Sequence, residues 1–190
     1  MLLLVGLGNP GSNYTNTRHN IGFKIIDAIN AHFKLSKQKP KFKGLLTTGN
    51  IEEKKIYAIK PLTFMNNSGT AIKELIDYFK IDAKDVFVFH DDLDIDFGKI
   101  KAKFGGSSAG HNGIESIDKF IGKDYSRVRI GIGHPKIKKK VSNHVLEDFK
   151  EDEEEKINEI TENIVKQLPT LIGKKIDLFS SKVNQNLNGI

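Results

Sequence analysis

The sequence predicts a single α/β domain built around a largely parallel or mixed β-sheet. Short apolar runs such as LLLV at 2–5 and VFVF at 86–89 contain no polar alternation, which is typical of strands buried on both faces. Between such runs, apolar residues recur at helical spacing. Neither an internal repeat nor a long linker divides the 190 residues. Strands that alternate with helices in this way indicate a sheet covered by helices.

Six segments have the composition of strands. The first ends at the turn GLGNPG (6–11), where glycine and proline prevent a regular element from continuing. Two later segments are joined by the turn EEKK, which predicts a hairpin. The predicted strands are 2–5, 45–51, 56–60, 86–89, 100–104 and 128–132.

Helical spacing of apolar residues predicts four helices, with a lysine-rich loop at 34–43 after the first. Pro169 should end or kink the last of these helices, because proline cannot donate to the helical ladder. Residues 184–190 are expected to form a frayed tail, and the whole chain, 1–190, a single domain. The predicted helices are 21–33, 71–79, one beginning at 111–113, and 151–168.

The composition excludes several classes of protein. No apolar run approaches the roughly 20 residues that a membrane span needs. The apolar run at the N-terminus is too short for a signal peptide and lacks a basic segment before it. Because the chain has no cysteine, it has neither disulfides nor a thiolate nucleophile. We therefore expect a cytoplasmic protein.

The charge is unevenly distributed along the chain. Residues 147–159 hold eight acidic side chains and two lysines, so the rest of the chain carries +12 against a total of +6. A basic body of this kind suits a polyanionic partner such as nucleic acid, although a lysine-rich surface is also common without one. The run KIKKK at 136–140 is interpreted either as an RNA contact or as a solvated loop.

Polar clusters end or follow the predicted strands, which is where sites form in α/β proteins. No serine lies in a G-x-S-x-G elbow, so an acyl-enzyme intermediate is not favoured. A histidine held by a carboxylate can instead activate water, and asparagine can orient a substrate or donate to a developing oxyanion. The clusters pair Asn9 with His19, His90 with Asp91, and His111 with Asn112, and Asn66 adds a fourth group.

Two other kinds of site fit the sequence less well. Gly6, Gly8 and Gly11 have the spacing of the dinucleotide-binding fingerprint, but the segment that follows is a poor start for a helix. The acidic residue at the expected distance, Asp27, lies within a predicted helix rather than at the end of a second strand. A zinc site lacks helical ligand spacing, and its possible ligands are His19, His90, Asp91 and His111.

Five blocks together resemble the bacterial-type peptidyl-tRNA hydrolase family, in its order and at its spacing. Ala109, where many members have glycine, is a mild departure that concerns the flexibility of a loop. The last third of the chain is less similar. The blocks are GLGNPGSNYTNTRHNIGF (6–23), PLTFMNNSG (61–69), HDDLD (90–94), GSSAGHNGIESI (106–117) and RVRIGIGHP (127–135).

The resemblance implies hydrolysis of the ester between a peptide and the terminal ribose of tRNA, which returns tRNA to translation after abortive synthesis. It makes His19 the general base for water, has Asp91 stabilise that role, and gives Asn9 a part in distinguishing N-blocked from free aminoacyl-tRNA. It also implies two groups of binding residues: Tyr14, Phe64, Met65, Asn66, His111 and Asn112 for the acceptor end and peptide, and Lys101, Lys103 and Arg129 for acceptor-arm phosphates. Whether the aromatic rings of Tyr14 and Phe64 stack on bases or pack on the peptide stays open.

The family's fold is a monomeric α/β domain with a twisted mixed β-sheet flanked by helices on both faces. The resemblance implies no metal, no cofactor and no obligate protein partner. One alternative of another class is an RNA-binding module on the same scaffold without catalysis. The retention of His19, Asp91, Asn9 and Asn66 together argues against that alternative.

Overall fold

A computed structural model describes residues 1–135 and 141–187 of the chain. The strands are β1 (Leu2–Gly6), β2 (Lys39–Lys41), β3 (Gly44–Ile51), β4 (Lys54–Pro61), β5 (Val86–Asp92), β6 (Ile100–Phe104) and β7 (Ser126–Gly131). The α-helices are α1 (Ile21–His32), α2 (Ser68–Phe79), α3 (Asn112–Ile121), α4 (Val141–Leu146), α5 (Glu151–Ile172) and α6 (Ile176–Leu187). Short 3₁₀ helices lie at Ser12–Tyr14, Arg18–Asn20, Met65–Asn67 and Ala83–Asp85.

The strands form one mixed sheet in the order β2-β3-β4-β1-β5-β7-β6. Its four inner strands β4, β1, β5 and β7 are parallel. The strands β3 and β2 continue one side in antiparallel pairing, and β6 closes the other side in the same way. The structure thus confirms the prediction of a single α/β domain with a mixed sheet.

Helices pack on both faces of the sheet, because β1 alternates its side chains between two apolar cores. Leu2 and Leu4 point into a core shared with α1, α5 and α6. Leu3 and Val5 point into a second core shared with α2 and α3. All four side chains are nearly inaccessible to solvent, which explains why the first strand shows no polar alternation.

The parallel pairing of β1 with β5 brings distant segments of the chain to one edge of the sheet. Gly6 at the end of β1 lies beside Phe89 of β5, and the Leu7 amide donates to the Phe89 carbonyl at 3.0 Å. The residues that follow each strand therefore emerge side by side. As a result, the 3₁₀ helix that carries His19 lies against the carboxyl end of β5.

The long C-terminal helix does not end where the sequence predicts. Helix α5 continues through Pro169 to Ile172. Proline removes one backbone donor in the last turn, but Leu168, Leu171 and Ile172 are fully buried there. Burial of three large apolar side chains outweighs the loss of a single backbone hydrogen bond, so the helix persists.

Three further segments differ from the expectations or lie outside the described residues. The predicted lysine-rich loop contains the short edge strand β2. Residues 184–187 of the expected frayed tail form the last turn of α6, where the Asn184 side chain bonds both the amide and the carbonyl of Ile100. Residues 188–190 and the lysine run at 136–140 lie outside the described part of the chain.

Within the described residues, no helix combines the length and the apolar character that crossing a bilayer requires.

The start of α1 approaches the sheet so closely that only glycine fits. A Cβ at Gly22 would lie 2.3 Å from the Leu7 amide nitrogen and 2.4 Å from the Phe89 carbonyl oxygen. Both are backbone atoms of the sheet edge and cannot move aside as a side chain could. This close approach fixes the distance between α1, which follows His19 directly, and β5.

We expect Gly22→Ala to destabilise the protein by about 3 kcal/mol, because the added methyl must displace the sheet edge or the helix. Urea unfolding followed by circular dichroism measures the change. Gly173→Ala at the end of α5 is the matched control, since its Cβ would meet atoms no closer than 3.2 Å. Equal stability of the two variants would contradict the close approach described here.

Candidate active site

The carboxylate of Asp91 is the centre of the site. It lies near the end of β5 with only 1% of its surface exposed. Its Oδ1 accepts a hydrogen bond from His19 Nδ1 at 2.8 Å and another from His111 Nε2 at 3.0 Å. A buried carboxylate without partners would be very costly, so the two imidazoles are what keep it ionised.

The start of helix α3 determines which nitrogen of His111 accepts and which donates. His111 is the N-cap of that helix, and its Nδ1 accepts from the amides of Gly113 and Ile114 at 3.1 and 3.3 Å. A neutral imidazole whose Nδ1 accepts must carry its proton on Nε2, so Nε2 donates to Asp91. His111 is therefore a donor that stabilises the carboxylate.

His19 has the opposite tautomer. Its Nδ1 faces both oxygens of Asp91, at 2.8 and 2.9 Å, and an ionised carboxylate only accepts. The proton of a neutral His19 is thus on Nδ1, and Nε2 keeps a free lone pair. Burial lowers the pKa of His19, but the charge of Asp91 and its hydrogen bond raise it more, and the net pKa lies above its ordinary value.

Burial also acts against ionisation of Asp91, since desolvation raises the pKa of a carboxyl. The adjacent His19 and His111 favour the charged form more strongly, so that the pKa of Asp91 lies far below its ordinary value. Asp91 stays a carboxylate throughout the range in which His19 titrates. The pair consequently has the chemistry of a histidine base oriented by a carboxylate.

His19 is held in place by the residues on both sides of it. Arg18 is buried and donates to the carbonyls of Glu147 and Asp148 at 3.2 and 3.0 Å, and to the Glu153 carboxylate at 2.7 Å. Neither this role of Arg18 nor the acidic partners was predicted from the sequence. The features of the sequence that could have indicated this role are an arginine next to His19 and an acidic segment at 147–159 with no assigned function.

Asn20, on the other side of His19, fixes Asn9. Its side chain accepts from the Asn9 amide and donates to the Asn9 carbonyl, both at 2.9 Å. The Asn9 Oδ1 accepts from the Met65 amide at 2.9 Å, so its Nδ2 is left as a donor with no hydrogen bond to a described residue. The structure thereby links the predicted site residue Asn9 to the turn at Met65, with Asn20 as a support that the sequence analysis missed.

A cleft of about 380 Å³ opens beside His19 and Asp91. His19, Asp91, His111 and Asn112 line it, together with residues 108–110, Val141, Ser142 and Val145. Ala109 in this loop has a φ of +49°, a conformation that favours glycine. This finding explains why glycine is the usual residue at that position in the resemblance drawn above.

Among the other predicted binding residues, Met65 differs most from the expectation. Its side chain is buried in the core against α3, so only its backbone amide reaches the site. Phe64 and Asn66 on either side are exposed on the same turn, and Asn112 is exposed at the start of α3. Tyr14 is half-buried in the 3₁₀ helix before His19 and lines no part of the cleft described above.

The three predicted phosphate-binding cations cluster on β6 and β7. Lys101 lies opposite Arg129 in the antiparallel pairing of the two strands. Burial and the charges of Arg129 and Arg127 lower the pKa of Lys103, which indicates crowded positive charge. Arg129 also donates to Asp92 at 2.7 Å, and Asp92 lines the cleft, so the cluster lies next to the site.

The structure brings together groups that could hold a metal ion. His19, Asp91 and His111 place one ligand atom each within 4.8 Å of one another. However, a histidine that binds metal through Nε2 carries its proton on Nδ1, where His111 would meet the amides of Gly113 and Ile114. His90, a further candidate ligand, is buried and bonds the Asp91 carbonyl through Nδ1 at 2.7 Å. The arrangement favours hydrogen bonding over metal binding.

Comparison with known proteins supports one family. The profile of the family described as Peptidyl-tRNA hydrolase matches residues 3–189. A peptidyl-tRNA hydrolase of Pelagibacter ubique is 73% identical over 184 residues, which cover 97% of this chain and 99% of that protein. One from Ehrlichia canis is 46% identical and covers 97% of this chain and 95% of its own length.

A solved structure agrees with the sequence comparisons. The crystal structure of peptidyl-tRNA hydrolase from Acinetobacter baumannii superposes with a TM-score of 0.91 at 35% identity, over 97% of this chain and 94% of that one. Similarity at this level extends over the whole described fold, including the C-terminal third that the sequence analysis found less distinct. The chain belongs to the peptidyl-tRNA hydrolase family.

Proposed function

We propose that this protein hydrolyses the ester that links a peptide, or an N-blocked amino acid, to the terminal ribose of tRNA, with His19 as the general base. Family membership supports the substrate class. The single observation that carries the assignment of the base is the 2.8 Å contact between His19 Nδ1 and a buried, ionised Asp91. This contact leaves Nε2 free to accept a proton at the wall of the cleft.

The reaction needs no covalent intermediate, since an ester is easier to hydrolyse than an amide and water activated by one general base is a sufficient nucleophile. His19 Nε2 takes a proton from water as the oxygen attacks the carbonyl carbon. The imidazolium that forms lies against the Asp91 carboxylate and is stabilised by it. It then returns the proton to the ribose oxygen as the ester bond breaks, releasing peptide and tRNA.

Asparagine side chains position the substrate in this proposal. Because Asn9 Oδ1 is occupied by the Met65 amide, its Nδ2 is the group available to a substrate carbonyl or to the developing oxyanion. Asn66 and Asn112 are both exposed and are assigned to the acceptor end of the tRNA. His111 acts through Asp91 and is a positioning residue.

Phosphate contacts and the cellular setting complete the proposal. Lys101, Lys103 and Arg129 are assigned to the acceptor-arm phosphates, because they concentrate positive charge beside the cleft. We assign Phe64, which is 58% exposed, and Tyr14 to the acceptor end or peptide. The protein is further proposed to work as a cytoplasmic monomer without a metal, a cofactor or an obligate protein partner.

The alternative is an RNA-binding module without catalysis. The geometry of His19, Asp91 and His111 disfavours it, since a binding surface has no need for two imidazoles with fixed, opposite tautomers on one buried carboxylate. Incubation with N-acetylated aminoacyl-tRNA distinguishes the two functions. Ester loss supports the hydrolase, and binding without ester loss supports the module.

His19→Ala should abolish almost all turnover while tRNA binding persists, because it removes the base and leaves the basic surface intact. Single-turnover hydrolysis of N-acetylated aminoacyl-tRNA gives the rate, and filter binding gives the affinity. The exposed His32, at the end of α1, provides the control variant His32→Ala. Full turnover in the His19 variant would refute the assignment of the base.

Asp91→Asn should lower kcat by roughly two to four powers of ten, by analogy with other histidines oriented by a carboxylate. The amide oxygen can still accept from His19 and His111, but the charge that stabilises the imidazolium is lost. Asp77→Asn on the surface of α2 is the matched control and should keep the wild-type rate. A loss of less than about fivefold in the Asp91 variant would contradict the proposal.

The rate should fall on acidification as His19 is protonated. Because the folded protein raises the pKa of His19, kcat/KM should decline with a midpoint above about 6.5, the value of a free histidine. In Asp91→Asn the charge that raises this pKa is gone while burial still lowers it, so the midpoint should move to lower pH. A profile that is flat from about pH 5 to 8 would exclude a histidine base.

A further inference from the structure

A buried arginine behind the cleft connects the cleft wall to the core. Arg127 lies on β7 with only 1% of its surface exposed. Its Nη2 donates to Asp118 Oδ1 on α3 at 2.8 Å, and its Nη1 donates to the Ser107 carbonyl at 2.7 Å. Ser107 belongs to the loop 105–110 between β6 and α3, so one guanidinium joins this loop to the helix that follows it. None of the functions assigned above uses Arg127.

The charge of Arg127 is balanced inside the protein. Asp118 Oδ1 also accepts from the Tyr125 hydroxyl at 2.7 Å, and the ring of Tyr125 lies 4.7 Å from the guanidinium carbon. Burial and the bond to Asp118 raise the pKa of Tyr125, so its hydroxyl stays protonated and donates. Because its charge is compensated in the core, Arg127 differs in role from the cations assigned to phosphates, and its bond to Ser107 acts on the loop.

The other side-chain and turn hydrogen bonds of the loop are local. The Ala109 amide donates to Ser107 Oγ at 3.2 Å, and the His111 amide donates to the Ser108 carbonyl at 3.0 Å. Such an open backbone, rich in glycine, has many accessible conformations when nothing holds it. Within the described residues, Arg127 is the buried side chain that bonds the middle of this loop. The loop residues with a positive φ are Gly105, Gly106, Ala109 and Gly110.

The loop lies between two parts of the proposed substrate-binding machinery. Residues 108–110 line the cleft beside His19. On the other side, a Cβ at Gly106 would lie 2.4 Å from Lys103 Nζ, so the ammonium of Lys103 rests on the loop backbone. Lys103 is also the residue opposite Arg127 in the pairing of β6 with β7. The position of the loop therefore sets both the cleft wall and the place of one cation assigned to phosphate.

We propose that Arg127 is a positioning residue for the acceptor end of the substrate, which holds the loop 105–110 so that the cleft wall and Lys103 are in place before the substrate binds. The inference rests on the proposed hydrolase function. A loop that is ordered in the free protein need not be ordered by the substrate, so the bond to Ser107 lowers KM. It does not set kcat, since His111 is held separately by the first amides of α3 and by Asp91.

Steady-state hydrolysis of N-acetylaminoacyl-tRNA tests this role with two variants of the same buried network. Arg127→Lys keeps a positive charge beside Asp118 but has a single nitrogen in place of the fork, so the bond to Ser107 is lost. KM should rise about tenfold, the value of one charge-assisted hydrogen bond, and kcat should change by less than about twofold. Tyr125→Phe removes a bond to Asp118 without affecting the loop, and it should lower Tm but leave both constants unchanged.

Kinetic results of two kinds would overturn the proposal. An unchanged KM in Arg127→Lys, or a loss confined to kcat, would show that the loop contact does not assist binding. The same rise of KM in Tyr125→Phe would make the network a structural feature only. Absence of ester hydrolysis by the wild-type protein would instead refute the hydrolase function, and the role of Arg127 in the loop would then be decided by relaxation measurements.

Amide ¹⁵N relaxation measures the order of the loop and depends neither on turnover nor on whether a variant folds. In the wild-type protein the order parameters of Gly106, Ala109 and Gly110 should be about 0.85, the value of rigid backbone. In Arg127→Lys they should fall below about 0.6 while those of α3 stay unchanged, and Tyr125→Phe should keep the wild-type values. A wild-type loop already below about 0.6, or an equally rigid loop in Arg127→Lys, would overturn the proposal.

Discussion

The structure depends on one buried charge. Asp91 is almost completely excluded from water and remains ionised because two imidazole N–H groups, from segments far apart in the chain, donate to it. Removing either donor would leave part of that charge uncompensated, so the fold and the chemistry share the same requirement. The parallel pairing of β1 with β5 and the glycine contact at the start of α1 are what bring the donors to this carboxylate.

The acidic segment at 147–159 stabilises the turn that carries His19. Its carbonyls and Glu153 hold the buried guanidinium of Arg18, and Glu154 pairs with Lys24 on α1. The segment therefore fastens the start of α5 onto the turn that carries His19. Glu153 and Glu154 of this segment thus pair with cations of the same chain. The basic surface beside the cleft lies elsewhere, on β6 and β7.

Much of the fold and the main site residues could be predicted from the sequence because their signals are local. Apolar runs and a hairpin turn predicted six of the seven strands, and polar residues at strand ends predicted that His19, Asp91 and Asn112 would lie together, as they do in the cleft. What escaped prediction depends on tertiary contacts. Helix α5 passes Pro169 because its neighbours are buried, and Asn184 is ordered because it pairs with the free edge of β6. The roles of Arg18 and Asn20 also depend on such contacts. Arg18 bonds residues far along the chain, and the Asn20 side chain bonds the backbone of Asn9.

The two histidines bonded to Asp91 differ in the ring nitrogen that faces the carboxylate, which is Nδ1 in His19 and Nε2 in His111. The Nδ1 of His111 accepts from the first amides of α3, so Nε2 is the nitrogen that donates to Asp91. His19 has no such restriction at Nε2 and can gain and lose a proton there. The helix N-terminus thus fixes His111 as a donor to Asp91, and in the proposed mechanism His19 is the base.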